Sequence, residues 1–158
     1  MNGNQTYYFA HANLVRQPPK PIKPPSNSSD VYIIILDSVS ASSFQRAFQS
    51  TKQYLEQKHS AIFFPYLNRV GENSRPNNYA FLVNERPENL PASPWNKFLG
   101  QGMDGKMCRD SIMNYDYIGK DFELAGYRTM IDTDWFYGLF EYPDCRGFGM
   151  VPTDHYLQ

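Results

Sequence analysis

The sequence has little of what would place a chain in a specialised class. Its two cysteines, Cys108 and Cys145, are too few for a disulfide framework and lack metal-ligand spacing, so their pairing stays open. The formal net charge of -1 creates no field that would attract nucleic acid or an anionic membrane. The longest apolar run, residues 31–36, is far shorter than the roughly 20 residues of a membrane span. We therefore expect no nucleic-acid partner and no membrane span.

The N-terminus lacks the basic and apolar regions of a signal peptide. Hydrophobic residues nevertheless make up 41% of the 158 residues, and 16% are aromatic, so the chain can bury a core. Glycosylation sequons begin at Asn4 and Asn27, in polar sequence where an acceptor would be exposed. Because the chain is rich in asparagine, chance alone would supply about one such sequon.

Residues 1–30 are predicted to be a flexible, proline-rich linker. The tract over residues 17–25 alternates prolines with lysines, which favours extended polyproline II over a helix or a sheet. A ligand for an SH3-type domain is the functional alternative, and a spacer in front of a domain is the preferred interpretation. The domain itself is predicted to occupy residues 31–158.

The predicted elements alternate between strands and helices. Residues 31–36 form an apolar run without alternation, typical of a parallel strand buried on both faces. Ser42 or Ser43 can then cap a helix at about residues 44–57, and residues 61–64 are a candidate for the next strand.

A second helix is predicted just after Ser74, with a left-handed stop at Asn84. Residues 115–125 predict another helix, and residues 127–131 another strand. The alternation indicates an α/β fold, a mostly parallel sheet flanked by helices, with its site at the carboxyl ends of the strands.

Two residues stand where such a fold presents chemistry. Asp37 directly follows the strongest strand, where a carboxylate is a common metal ligand, although a turn aspartate is the simpler interpretation. Ser74 lies at a helix N-terminus, where free N–H groups and the helix dipole favour a developing anion. Taken alone, Ser74 would be interpreted as an ordinary capping serine.

Together these residues resemble the alkaline phosphatase superfamily, in which a hydrophobic strand ends in Asp and a hydroxyl residue followed by x-Pro-Asn begins a helix. Nucleotide pyrophosphatases and phosphodiesterases of that group carry Thr-x-Pro-Asn-His-Tyr, and residues 74–79 here are Ser-Arg-Pro-Asn-Asn-Tyr. The resemblance implies that Asp37 is a metal ligand, Ser74 the nucleophile and Asn77 a polar contact to the transferred group. It also implies that the fold is a partial alkaline-phosphatase-like core.

A closer match is to an animal sulfatase-like family of unknown function within that superfamily. The family usually has Thr where this chain has Ser74, Glu where it has Thr133, and Thr-Gly where it has Val83 and Asn84. The match extends over nearly the whole chain from Asp30. Its carriers are residues 35–40, 70–77, 126–129, 134–135, 147–148 and 152–157.

The resemblance implies a metal-dependent hydrolase-like domain that acts on a small phosphoester or sulfate ester. It also implies that the complete domain binds divalent cations, with zinc as the expected metal. Sulfatases oxidise a Cys or Ser followed by x-Pro-Ser-Arg to formylglycine, and Asn77 and Asn78 replace that Ser-Arg here. Phosphoester chemistry through a plain serine is therefore the preferred enzymatic interpretation. Because family members are secreted or membrane-tethered, the resemblance implies an extracellular or secretory-pathway location.

Two rival interpretations stay open, a non-catalytic extracellular binding or structural module and an inert truncated product. The family's further Asp and His metal ligands are expected downstream of this sequence, so we expect residues 31–158 to be the N-terminal part of a domain that is inactive alone. We also expect Asp37 and Ser74 to share one cleft, about 4 to 6 Å apart.

The remaining candidates carry weaker signals. Asp154 and His155 could be metal ligands, but both residue types are common on surfaces. His11 and His59 have no partners at ligand spacing and are predicted to be surface residues. The aromatic stretch over residues 135–140 predicts packing in a core or a lid.

Overall fold

The computed structural model describes residues 15–89 and 104–157. His11 and the sequon at Asn4 lie outside these residues. No helix of the described part has the length and apolar content needed to cross a bilayer. The α-helices in chain order are α1 (Ala41–Ala47), α2 (Gln49–His59), α3 (Ser74–Val83), α4 (Asp104–Met107) and α5 (Ile118–Leu124). A 3-10 helix, Ile112–Asn114, precedes α5, and strands β1 (Met130–Asp132) and β2 (His155–Leu157) follow it.

Helices α1 and α2 lie where one amphipathic helix was predicted. The capping residue is Ser40, whose hydroxyl accepts the Ser43 N–H at 3.1 Å, so the predicted caps Ser42 and Ser43 are inside α1. This correction has a local cause, because Ser40 keeps the extended backbone that a capping residue needs. A non-helical Phe48 then separates α1 from α2.

The predicted helix–strand unit near residue 126 is confirmed with shifted boundaries. Helix α5 ends before Gly126, whose φ of +89° lies in the left-handed region. A Cβ there would also lie 2.6 Å from the Ile22 carbonyl oxygen, so only glycine fits. The strand that follows, β1, pairs in parallel with β2, and Met130 lies opposite His155. Strand β2 was not predicted.

The buried core lies between α3, the segment before α5, and the C-terminal loops. Four rings pack edge to face in a chain, with centroid distances of 5.0 Å from Tyr79 to Phe140, 5.3 Å from Phe140 to Phe148 and 5.1 Å from Phe148 to Tyr117. Such tilted pairs are favourable beyond the area they bury. The Cys108–Cys145 disulfide resolves the pairing that the sequence left open and closes the loop beside this core.

The strand predicted over residues 31–36 is wrong in this structure. Residues 31–36 belong to no helix or strand, no described residue pairs with them, and their six side chains are exposed, Ile34 by 85%. A strand needs neighbours for its N–H and C=O groups, and here the run borders an open cleft opposite residues 127–135. Residues 61–64 are also exposed and form no strand. A larger parallel sheet therefore stays a prediction.

The proline-rich segment, where the structure describes it, contains no helix or strand and contacts the domain. Lys20 Nζ donates to the Tyr127 carbonyl oxygen at 2.8 Å and lies 2.8 Å from Asp154 Oδ2. The Lys20 side chain is only 15% exposed. The segment is thus fastened at Lys20 to the residues that precede β1 and β2.

Candidate functional site

The carboxylate of Asp37 and the hydroxyl of Ser74 meet in one cleft of about 1020 Å³. Ser74 Oγ donates to Asp37 Oδ1 at 3.1 Å, across 37 positions of sequence. The same oxygen accepts the N–H of Ser38, at 2.9 Å, in the turn that follows residues 31–36. The shared cleft is as predicted, and the two side chains are closer than the expected separation because they bond directly.

Helix α3 determines where the Ser74 hydroxyl lies. Asn73 is the extended N-cap residue and Ser74 the first helical residue, so the serine lies inside the helix rather than just before it. Asn84 ends the helix in the left-handed region, with φ of 54°, as predicted. Tyr79 and Val83 are buried on the inner face and anchor the helix to the core. The hydroxyl therefore lies at the positive end of a fixed helix dipole.

Asn77 makes a different contact from the one that the resemblance implied. Its Oδ1 accepts the N–H of Val70 at 2.7 Å, and its Nδ2 donates to the carbonyl oxygens of Gly71 at 3.0 Å and Asn73 at 2.6 Å. Both ends of the amide are thus engaged by the loop that leads into α3. In the structure Asn77 fixes the approach to Ser74 rather than presenting its amide to the cleft.

The cleft is also lined by polar residues that were not predicted to have a role in the site, among them Asn78, Asp132 and Asp134. Asn78 Nδ2 donates to the Leu139 carbonyl oxygen at 3.0 Å and so links α3 to the loop after β1. Asp132 and Asp134 lie at and just beyond the carboxyl end of β1 and are exposed. The rule that identified Asp37, a carboxylate at a strand's carboxyl end, would have found both of these aspartates.

The oxygens of Asp37 and Ser74 fit part of the ligand set of a divalent cation. Two oxygens each about 2 Å from one cation are about 2.8 Å apart at a right angle and about 3.3 Å apart in a tetrahedron. The observed 3.1 Å lies between these values. Within residues 15–89 and 104–157, no group of three or more His, Cys, Asp or Glu side chains is arranged to hold a metal ion.

Asp154, weighed as a metal ligand, is instead the centre of a structural network. It lies 2.8 Å from Lys20 Nζ, accepts from Arg128 Nη1 at 3.0 Å and accepts the Thr129 N–H at 2.9 Å. Burial raises the pKa of Asp154, but the Lys20, Thr129 and Arg128 hydrogen bonds and the Lys20 charge outweigh it and hold the pKa at about 2. The carboxylate joins the proline-rich segment to both strands.

The other candidates have structural surroundings. His59 is exposed at the end of α2, with its ring 5.2 Å from that of Tyr54, in agreement with the predicted surface position. The aromatic stretch divides, since Phe140 is fully buried in the core whereas Phe136 is 81% exposed. The core part of that prediction is therefore confirmed.

These features define a class of protein, one in which a hydroxyl at a helix N-terminus and a carboxylate meet in a cleft beside a short parallel sheet. The family described as "Protein of unknown function (DUF229)" matches residues 1–158, and the chain belongs to this sulfatase-like family. Comparison with curated proteins and with solved structures gives no significant match.

Proposed function

We propose that this chain carries the nucleophile region of a metal-dependent phosphoester, or sulfate ester, hydrolase-like domain with a partial alkaline-phosphatase-like α/β core. The single observation that carries the proposal is the 3.1 Å hydrogen bond between Ser74 and Asp37. A hydrolase of this kind needs its nucleophile directly beside a metal-binding carboxylate. The N-terminus of α3 adds partial positive charge where a phosphoryl group would gain negative charge.

Ser74 acts as the nucleophile in this proposal. Its Oγ loses its proton and forms a bond to phosphorus, the bond between phosphorus and the leaving alcohol oxygen breaks, and that oxygen takes up a proton. Water later hydrolyses the bond between Ser74 Oγ and phosphorus. Asp37 would hold a zinc ion, which would supply the positive charge that favours the deprotonated Ser74 hydroxyl and neutralises the phosphoryl oxygens. Asn77 contributes as a positioning residue, because its amide holds the loop that places Ser74 at the start of α3.

The residues after the nucleophile favour a phosphoester over formylglycine-dependent sulfate chemistry. Asn77 and Asn78 occupy the positions of the Ser-Arg pair that directs the oxidation of a sulfatase nucleophile. The two asparagines bond to the 70–73 loop and to the Leu139 carbonyl oxygen, which are structural tasks. A plain serine at position 74 therefore carries the proposed chemistry.

The proposed location is extracellular or in the lumen of the secretory pathway. The Cys108–Cys145 disulfide supports it, because structural disulfides form and persist in oxidising compartments and are rare in the cytosol. The resemblance to secreted and membrane-tethered proteins points to the same location.

A non-catalytic extracellular module is the second candidate. The observation that favours it is the amide of Asn77, which is bonded to Val70, Gly71 and Asn73 instead of facing a substrate. A module of this type would keep the fold and bind a partner without turning it over. The two candidates differ in turnover and in dependence on Ser74.

The test is hydrolysis of a chromogenic phosphodiester with added zinc. We compare the 158-residue chain with a chain that continues through the downstream Asp and His elements implied by the family. The short chain should give no turnover, because a two-metal hydrolase needs several carboxylate and imidazole ligands, and no group of three or more such side chains within residues 15–89 and 104–157 is arranged to hold a metal ion. In the longer chain, Ser74→Ala should abolish turnover and Asp37→Asn should raise the zinc concentration needed for it.

Turnover that survives Ser74→Ala would remove Ser74 as the nucleophile. Substrate binding without turnover in the longer chain would favour the non-catalytic module. Asn73→Ala is the matched control, since it removes a neighbouring polar side chain that makes no cap hydrogen bond.

A further inference from the structure

Asn27 lies in an exposed turn that the sequence marks as an acceptor site. The motif Asn27-Ser28-Ser29 has a hydroxyl two positions after the asparagine and no proline between them. In the structure the Ser28 N–H donates to the Pro25 carbonyl oxygen at 2.9 Å, which closes a turn with Asn27 at its third position. Residues 25–30 are all exposed.

The turn is held between two attachments to the domain. On one side Lys20 bonds to the Tyr127 carbonyl oxygen and Asp154, and on the other the Tyr127 hydroxyl donates to the Ser29 carbonyl oxygen at 3.3 Å. The described residues between these points, 21–28, belong to neither a helix nor a strand. A large substituent on Asn27 would therefore leave both attachments in place.

The disulfide provides the second, independent observation. Cys108 and Cys145 are bonded, which indicates that the chain matures in an oxidising compartment. In eukaryotic cells this is also the compartment where asparagine side chains in such motifs receive oligosaccharides. The sequence motif, the exposure of the turn and the oxidising compartment therefore all point to modification of Asn27.

We propose that Asn27 is an N-glycosylation site. In the transfer, Asn27 Nδ2 forms a bond to the anomeric carbon of a lipid-diphosphate-linked oligosaccharide. The bond between that carbon and the diphosphate oxygen breaks, the lipid diphosphate leaves, and one amide proton is released. The glycan stands on the surface turn between Lys20 and Ser29, and its attachment is independent of the chemistry proposed for Ser74.

The test is expression of the full chain behind a cleavable signal peptide in eukaryotic cells, in an Asn4→Gln background that removes the other sequon. Whole-cell and secreted material are both treated with an amidase that releases N-linked glycans. The expected result is a shift in electrophoretic mobility equal to one glycan. Peptide mass spectrometry should then find Asp at position 27, the product of amidase release.

Two single-hydroxyl variants provide the matched control. Ser29→Ala removes the hydroxyl that the transfer requires and should abolish the shift, whereas Ser28→Ala keeps the motif and should leave the shift unchanged. Ser29→Thr should restore it. An unmodified Asn27 in the Asn4→Gln chain, or a shift that persists in Ser29→Ala, would overturn the proposal.

Discussion

At the scale of single residues, Asp154 shows how one carboxylate can hold distant segments together. Its side chain is 13% exposed and bonds to Lys20, Arg128 and Thr129, so it joins the proline-rich segment to the start of both strands. A buried carboxylate is stable only when its partners replace lost hydration, and here two cations and a backbone N–H do so.

We predict that Asp154→Asn lowers the free energy of unfolding by about 2 kcal/mol at pH 7. The pKa of Asp154 falls from 3.8 to about 2 on folding, so its contribution is complete above about pH 4 and is lost as pH falls through 2. Urea unfolding between pH 7 and pH 2 measures this. The exposed Asp116→Asn is the control, and an equal loss in the two variants would contradict the prediction.

The sequence predicted that Asp37 and Ser74 share one cleft, but it did not predict the other contacts of the candidate residues. Asp37 and Ser74 were identified by position, one after a strand and the other at a helix start, and their 3.1 Å contact agrees with that reasoning. The Lys20–Asp154 pair could not be predicted, because it joins residues 134 positions apart through a fold that no local pattern specifies. Asn77 likewise has its contacts determined by the conformation of the 70–73 loop.

At the scale of elements, α3 positions the site because both of its ends are fixed. Asn73 and the loop bonded to Asn77 define its start, and Asn84 ends it in the left-handed conformation. The buried face between them holds Tyr79 and Val83 against the core. A displacement of this helix would separate the Ser74 hydroxyl from Asp37.

We predict opposite effects for two substitutions at Asn84. Asn84→Ala should lower the free energy of unfolding by about 1 kcal/mol, because a Cβ without a compensating polar group disfavours the left-handed region. Asn84→Gly should leave stability unchanged or raise it slightly, since glycine is the usual residue at this position. Thermal unfolding of both variants measures the effect. If the alanine variant were as stable as the glycine variant, the left-handed conformation at position 84 would carry no strain for a residue with a Cβ.

The ends of α5 and α3 were predictable because Gly126 and Asn84 are local stop signals for a helix, and Gly126 also separates α5 from β1. The prediction of a strand over residues 31–36 failed because the apolar pattern indicates only that these side chains favour burial. Whether they are buried depends on neighbours elsewhere in the chain. Residues 31–35 line the cleft together with residues 127–135. The sequence of residues 31–36 therefore indicated an apolar surface but not which residues would pack against it.

At the scale of the whole molecule, the disulfide closes a long loop around the aromatic core. We predict that Cys108→Ser with Cys145→Ser lowers the free energy of unfolding by about 3 to 4 kcal/mol, from the entropy of a loop spanning 37 positions. Urea unfolding of the wild type with and without a reductant should reproduce the difference, while the reductant should not affect the double variant. Equal midpoints for all samples would contradict the prediction.

The central claim is that Ser74, beside Asp37, is the residue that accepts the phosphoryl group. The most direct measurement is mass spectrometry of the longer chain after rapid acid quenching of a reaction with a phosphomonoester and zinc. We expect phosphate on the peptide that contains Ser74, phosphothreonine at the same position in Ser74→Thr, and turnover reduced at least about a thousandfold in Ser74→Ala. If the longer chain turned over substrate without phosphate on that peptide, and if turnover were unchanged in Ser74→Ala, Ser74 would not be the residue that accepts the phosphoryl group.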